Sequence, residues 1–111
     1  MKELYALSSD ALRDLFEIWD YICRDSREAA DRVESELLEK CASLAQMPGQ
    51  GHRRQDYTSA DVLFFPVYSY LIAYRPTTKP LQILAIVHGS RKVDRILKER
   101  RLSRSFGTSL R

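Results

Sequence analysis

The sequence predicts an α+β domain in which an N-terminal strand and an α-helical hairpin pack on a small antiparallel sheet, in the order β-α-α-β-β-β-α. Three observations predict it. Apolar residues recur at three- and four-residue steps through two stretches, Ala11 to Ile22 and Ala30 to Leu44. After Gly51 the period shifts to that of strands. The run Leu81-Gln82-Ile83-Leu84-Ala85-Ile86-Val87 is then apolar at almost every position, as in a central strand covered on both faces. Helical and strand patterns are segregated along the chain, which sets the helical hairpin on one face of the sheet.

Leu4-Tyr5-Ala6-Leu7 reads as a short strand that stops at Ser8-Ser9-Asp10, where Ser8 or Ser9 can accept the unpaired N–H groups of a helix start. In the helix that follows, Ala11, Leu12, Leu15, Ile18, Trp19 and Ile22 share one face. Phe16 and Cys23 widen it, and Arg13, Asp14, Glu17 and Asp20 are set away from its centre. Arg24-Asp25-Ser26 breaks the pattern. Ser26 opens a longer helix carrying Ala30, Val33, Leu37, Cys41 and Leu44 on one face, and so short a joint folds the pair into an antiparallel hairpin. Met47-Pro48-Gly49-Gln50-Gly51 ends it. A polar, basic loop from His52 to Asp56 leads to strands at Asp61–Phe65, Tyr68–Arg75 and Leu81–His88. Pro66-Val67 is expected at a bend, and Pro76-Thr77-Thr78-Lys79-Pro80 is a hairpin loop. Gly89-Ser90 turns the chain, and Ser90 is expected to cap a last helix from Arg91 to about Arg101. The domain expected spans residues 1–102, with 103–111 a flexible basic tail.

A chain of 111 residues has room for one core and no second catalytic domain. With 44% apolar and 30% charged residues it has the composition of a soluble globule, and no segment has the apolar length to cross a bilayer. Met1-Lys2-Glu3 leads straight into patterned sequence, unlike a secretory signal, so a cytoplasmic location is expected. The cysteines agree with a reducing compartment. Cys23 closes the first helix and Cys41 lies deep in the second, at an axial offset on the order of 20 Å that no disulfide spans. Cys41 keeps helical spacing with Leu37 and Leu44 and reads as core.

The net charge of +3 conceals an asymmetry. Residues 1–50 hold 6 Lys+Arg against 11 Asp+Glu, a net of −5, and residues 51–111 hold 12 against 4, a net of +8. A basic half on a small domain calls for an anionic partner, either nucleic acid or an acidic protein segment.

Four pieces in fixed order resemble the RelE/ParE toxins, the ParE branch in particular. They are Leu7-Ser8 ahead of Asp14-Leu15 and Ile18-Trp19-Asp20-Tyr21-Ile22; Ala29-Ala30; Leu44-Ala45-Gln46-Met47-Pro48-Gly49-Gln50-Gly51-His52-Arg53; and Tyr70-Leu71-Ile72-Ala73-Tyr74-Arg75 followed by Ile86-Val87-His88-Gly89-Ser90-Arg91. The resemblance implies the same helical hairpin on a small sheet. It also implies a growth-arresting toxin of a type II toxin–antitoxin pair, held in a hetero-oligomer by a ParD-like antitoxin whose tail wraps the toxin and whose other end binds the operator. ParE-like toxins poison DNA gyrase without cutting RNA, whereas RelE-like toxins cleave messenger RNA in the ribosome. Neither activity calls for a cofactor, metal or membrane, and nucleic acid is met only through the antitoxin or the target.

Cleavage of RNA at a 2′-hydroxyl needs a base, an acid and cations for the phosphate. The candidates are His88, Arg75, Arg91, Arg53 and Arg54, with Tyr68, Tyr70 and Tyr74 as stacking or proton-transfer partners. Each has a plainer reading: His88 ordering the strand-to-helix turn, Arg91 pairing with Asp94 or a hairpin acid, and the tyrosines packing across strands. RNA-cleaving relatives usually place a tyrosine or histidine after the last strand. Lys92 to Arg101 contains neither, which favours a non-enzymatic toxin over an mRNA interferase. For target binding the last helix offers Arg91, Arg95, Lys98 and Arg101, beside an apolar stripe of Val93, Ile96 and Leu97. For the antitoxin, the first helix offers Phe16 and Trp19.

Overall fold

The computed structural model describes residues 4–100. Strand β1 (Tyr5–Leu7) leads into α1 (Ser9–Cys23) and α2 (Arg27–Gln46). A single 3-10 turn (Pro48–Gln50) then opens the strands β2 (His52–Arg53), β3 (Leu63–Val67), β4 (Tyr70–Arg75) and β5 (Leu81–His88), and α3 (Val93–Arg100) ends the described chain. The five strands form one sheet in the order β1-β5-β4-β3-β2. It is mixed rather than wholly antiparallel as expected, because β1 pairs parallel with β5 through Tyr5↔Leu81 and Leu7↔Ile83. Parallel partners need a long connection, and here the helical hairpin and three strands lie between them.

Ser8 joins the first strand to the first helix. It is fully buried, its N–H donates to the Ile83 carbonyl, its Oγ donates to the Leu84 carbonyl, and the same Oγ caps α1 by accepting from the Ala11 N–H at 2.9 Å. Ser26 caps α2 in the same way through the Ala29 N–H. Trp19 Nε1 donates to Asp31 across the joint, and Leu12 lines the same groove as Glu34, the pairing of an antiparallel hairpin.

The hairpin buries Ala11, Leu15, Leu37, Cys41 and Leu44 against Ile72, Tyr74, Leu81, Ile83 and Ile86. On the opposite face α3 lays Val93 and Leu97 over Phe64, Ala73, Leu84, Ala85 and Val87. Strand β5 is thus covered on both faces. Its register carries one bulge: Ala73 faces Ala85 while Tyr74 faces Ile83, so Leu84 is the extra residue. The Tyr74 hydroxyl donates to the Pro48 carbonyl and accepts from the Gly51 N–H, tying the end of the helical half to β4. A Cβ at Gly51 would lie 2.6 Å from that hydroxyl and 2.9 Å from the Phe64 carbonyl, so glycine is required there by close approach.

Four expectations are corrected. His52 and Arg53 are not loop but pair with Phe64 and Leu63, two exposed residues with no apolar pattern to announce them. Pro66 and Val67 continue β3 instead of bending it, and the turn falls at Tyr68-Ser69, where Tyr68 takes φ 56° and donates its hydroxyl to Glu36. Strand β2 reaches only Leu63 and Phe64, so Pro66 stands on an uncovered edge where a missing N–H is tolerated. The last helix begins at Val93, not Arg91, and its first turn is closed by the Ile96 N–H on the Lys92 carbonyl. Finally, Asp14 is buried and Leu12 exposed, because the buried stripe of α1 runs through Ala11, Asp14 and Leu15. The tail expected at 103–111 lies outside the described residues.

Candidate functional site

His88 closes β5 directly opposite Tyr70, whose ring meets it edge to face at 5.5 Å. Its Nδ1 accepts from the Ser90 N–H at 3.1 Å and lies 2.7 Å from Ser90 Oγ. Ser90 therefore braces the histidine instead of capping a helix, and His88 does order the turn. Together with Arg91, Tyr70, Tyr21, Glu17 and Asp14 it lines a cavity of about 460 Å³. Burial is the main cause that pushes the Tyr70 phenol above its ordinary value, with the neighbouring Tyr21 adding to it.

Arg75 stands at the other end of the same hairpin, opposite Gln82. It lines a separate cavity of about 570 Å³ with Asp56, Tyr57, Thr58, Asp94 and Lys98. From Tyr70 to Arg75 is the length of β4, roughly 17 Å at the rise of a strand. One phosphodiester and its ribose are far smaller than that. The five candidates for RNA chemistry thus fall into separate groups. His88 and Arg91 share a cavity, and Arg75 lies a strand-length away. Arg53 is paired with Asp61, and Arg54 holds both carboxylate oxygens of Asp56 while its guanidinium covers the Tyr57 ring at 4.0 Å. The tyrosines divide as well: Tyr74 is core, Tyr70 borders the His88 cavity, and Tyr68 sits in the β3–β4 turn.

Arg95 and Lys98 are exposed on α3, with Val93 and Leu97 beneath them. Arg91 is exposed but precedes the helix, so it does not share that face. Arg101 lies outside the described residues. On the far side of the molecule Phe16 and Trp19 stack at 6.4 Å, and Arg27 approaches the Trp19 ring at 5.9 Å. With Leu12, Leu15, Asp31 and Glu34 they line a groove of about 480 Å³. Phe16 is 62% exposed and Leu12 57%, which leaves apolar surface on one flank of the helix.

One residue that sequence reading passed over is Asp14. It is 6% exposed, and Oδ2 accepts from the Ile86 N–H at 2.9 Å and from Arg100 Nη1 at 2.7 Å, while Oδ1 accepts from Arg100 Nη2 at 2.8 Å. The hydrogen bonds to Asp14 are the leading cause raising the Arg100 guanidinium above its ordinary value. The signal was its phase, since Asp14 stands three residues after Ala11 and four before Ile18, on the apolar stripe itself. Among the described residues no cluster of three His, Cys, Asp or Glu is placed to hold a metal ion.

The fold is α+β, with the grooved helical hairpin on one face of the sheet and the cationic helix α3 on the other. Residues 5–93 match the model of the family described as ParE toxin of type II toxin–antitoxin system, parDE. The chain belongs to the ParE toxin family. Among solved structures it is similar to a chain of the chromosomal ParDE toxin–antitoxin system from P. aeruginosa, with 23% identity and a TM-score of 0.64 over 78% of this chain and 96% of that one, a likeness of fold. No curated protein matches the sequence. No helix among the described residues is long and apolar enough to cross a membrane.

Proposed function

We propose that this toxin inhibits DNA gyrase by binding, without cutting RNA, and is neutralised in the cytoplasm by a co-encoded ParD-like antitoxin in a hetero-oligomer. The observation that carries the reading is the separation of the would-be catalytic groups. His88 and Arg91 stand at one end of the β4–β5 hairpin and Arg75 at the other, while Arg53 and Arg54 are engaged by Asp61 and Asp56. What remains chemically available is surface. Arg95 and Lys98 are held outward by a helix anchored through its apolar stripe, an arrangement suited to meeting an anionic target by charge and shape. Arg91 adds to that charge from its place before the helix, and Arg101 is the further cation expected after it.

The groove of Phe16 and Trp19 is assigned to the antitoxin. Asp31 and Glu34 form its rim, so its occupant is an amphipathic segment that pairs an apolar face with Lys or Arg at the edges. Acidic parts of the antitoxin belong instead on the basic strand half of the toxin.

Supercoiling by purified gyrase, titrated with the toxin alone and with the toxin saturated by its antitoxin, tests the reading. Inhibition by the free toxin and relief by the antitoxin are expected. Full supercoiling at toxin concentrations that arrest growth in cells would rule gyrase out.

A further inference from the structure

We propose that Asp14 and Arg100 are a positioning pair that fixes the last helix across the sheet and so sets the cationic face the toxin presents to its target. The proposal rests on the reading that α3 meets the target.

Helix α3 has eight residues, too few to be stable unaided, so its place depends on what it is fastened to. One fastening is apolar: Val93 and Leu97, with Ile96 partly buried, lie on the sheet face away from the helical hairpin. That stripe holds the helix to the sheet but resists rotation about its own axis only weakly. The other fastening is Arg100 in the final turn, which reaches past the edge of β5 to Asp14 on α1 with both carboxylate oxygens engaged. A bidentate guanidinium–carboxylate pair fixes orientation as well as distance. Asp14 cannot yield readily, because its Oδ2 also accepts the Ile86 N–H on the stretch of β5 that β1 leaves uncovered. The pair thus ties together the layers on opposite faces of the sheet and determines where Arg95 and Lys98 point.

The test is Arg100→Ala, with Arg100→Lys as the milder variant, read in three ways. Amide hydrogen exchange is expected to quicken about tenfold or more across 96–100 in Arg100→Ala, the loss of a charge-assisted pair, with exchange in β4 and β5 unchanged. Inhibition of supercoiling is expected to weaken by a similar factor, about tenfold, while antitoxin affinity stays within about twofold because the groove on α1 and α2 is untouched. Arg100→Lys, keeping the charge without the fork, should fall between. A helix loosened with target inhibition intact overturns the proposal, as does a helix that exchanges as in the wild type. Parallel loss of inhibition and antitoxin binding in both variants also overturns it, since the pair would then serve stability alone. If the wild-type toxin leaves gyrase unaffected, the gyrase reading falls on that control. Growth arrest on expression then replaces supercoiling as the readout, and arrest by Arg100→Ala equal to the wild type overturns the positioning role.

Discussion

Ser8 does two things with one small side chain, and its burial explains why a serine is needed. Its Oγ caps α1 and donates to the Leu84 carbonyl, so alanine there leaves both a helix N–H and a strand carbonyl without a partner. Ser8→Ala is expected to lose about 2 kcal/mol in urea unfolding with an unchanged m-value. A loss under about 0.5 kcal/mol, the range of ordinary surface changes, would show that water replaces both bonds. Cys41 makes a prediction in pH. Burial pushes its thiol up to about 12 from an ordinary value of 9.0, so the folded state favours the protonated form. Its contribution is complete below pH 9, where the thiol is protonated in both states, and is lost as the unfolded chain ionises between about 9 and 12. In that window the stability of the wild type should fall about 1.4 kcal/mol per pH unit more steeply than that of Cys41→Ala. Tyr74, also raised by burial, acts in the same direction in both proteins, whereas Tyr5 is raised by burial and also by Cys41, so part of its shift is lost with the thiol. Equal slopes would mean that Cys41 reaches solvent.

At the scale of elements, the two helices of the hairpin and the doubly covered β5 were legible because burial on a defined face writes its period into the chain. What escaped had no such imprint. The two-residue β2 buries nothing, the β3–β4 turn depends on Tyr68 adopting a left-handed backbone, and the parallel pairing of β1 with β5 is set by topology that no local pattern records. Asp14 escaped for a different reason. A carboxylate on an apolar stripe reads as a flaw in the pattern until Arg100, far along the chain, supplies its partner. Of the candidate site, Phe16 with Trp19 and Arg95 with Lys98 each lie together, whereas the RNA-chemistry set is dispersed because His88 and Arg75 stand at opposite ends of the β4–β5 hairpin and Arg53 and Arg54 are held by Asp61 and Asp56. The exposed groove carries its own prediction. Phe16→Ala and Trp19→Ala should leave the toxin folded and weaken its antitoxin by about tenfold or more, the usual weight of an exposed aromatic anchor. Unchanged affinity in titration calorimetry would remove the groove from the antitoxin interface.

Across the whole molecule the charge asymmetry of the sequence becomes a spatial division of labour. The acidic half is the helical hairpin with its apolar groove, and the basic half is the strand region with α3 on the opposite face of the sheet. On the proposed reading two faces serve two partners: a basic, apolar segment in the groove and an anionic target over α3. Arrest of growth through gyrase is tested most directly by expression of the toxin without antitoxin, following plasmid supercoiling and cleavage of messenger RNA at the ribosomal A site in the same cells. Loss of negative supercoiling with messages intact at the onset of arrest is the predicted result. Rapid message cleavage with supercoiling unaffected would contradict it.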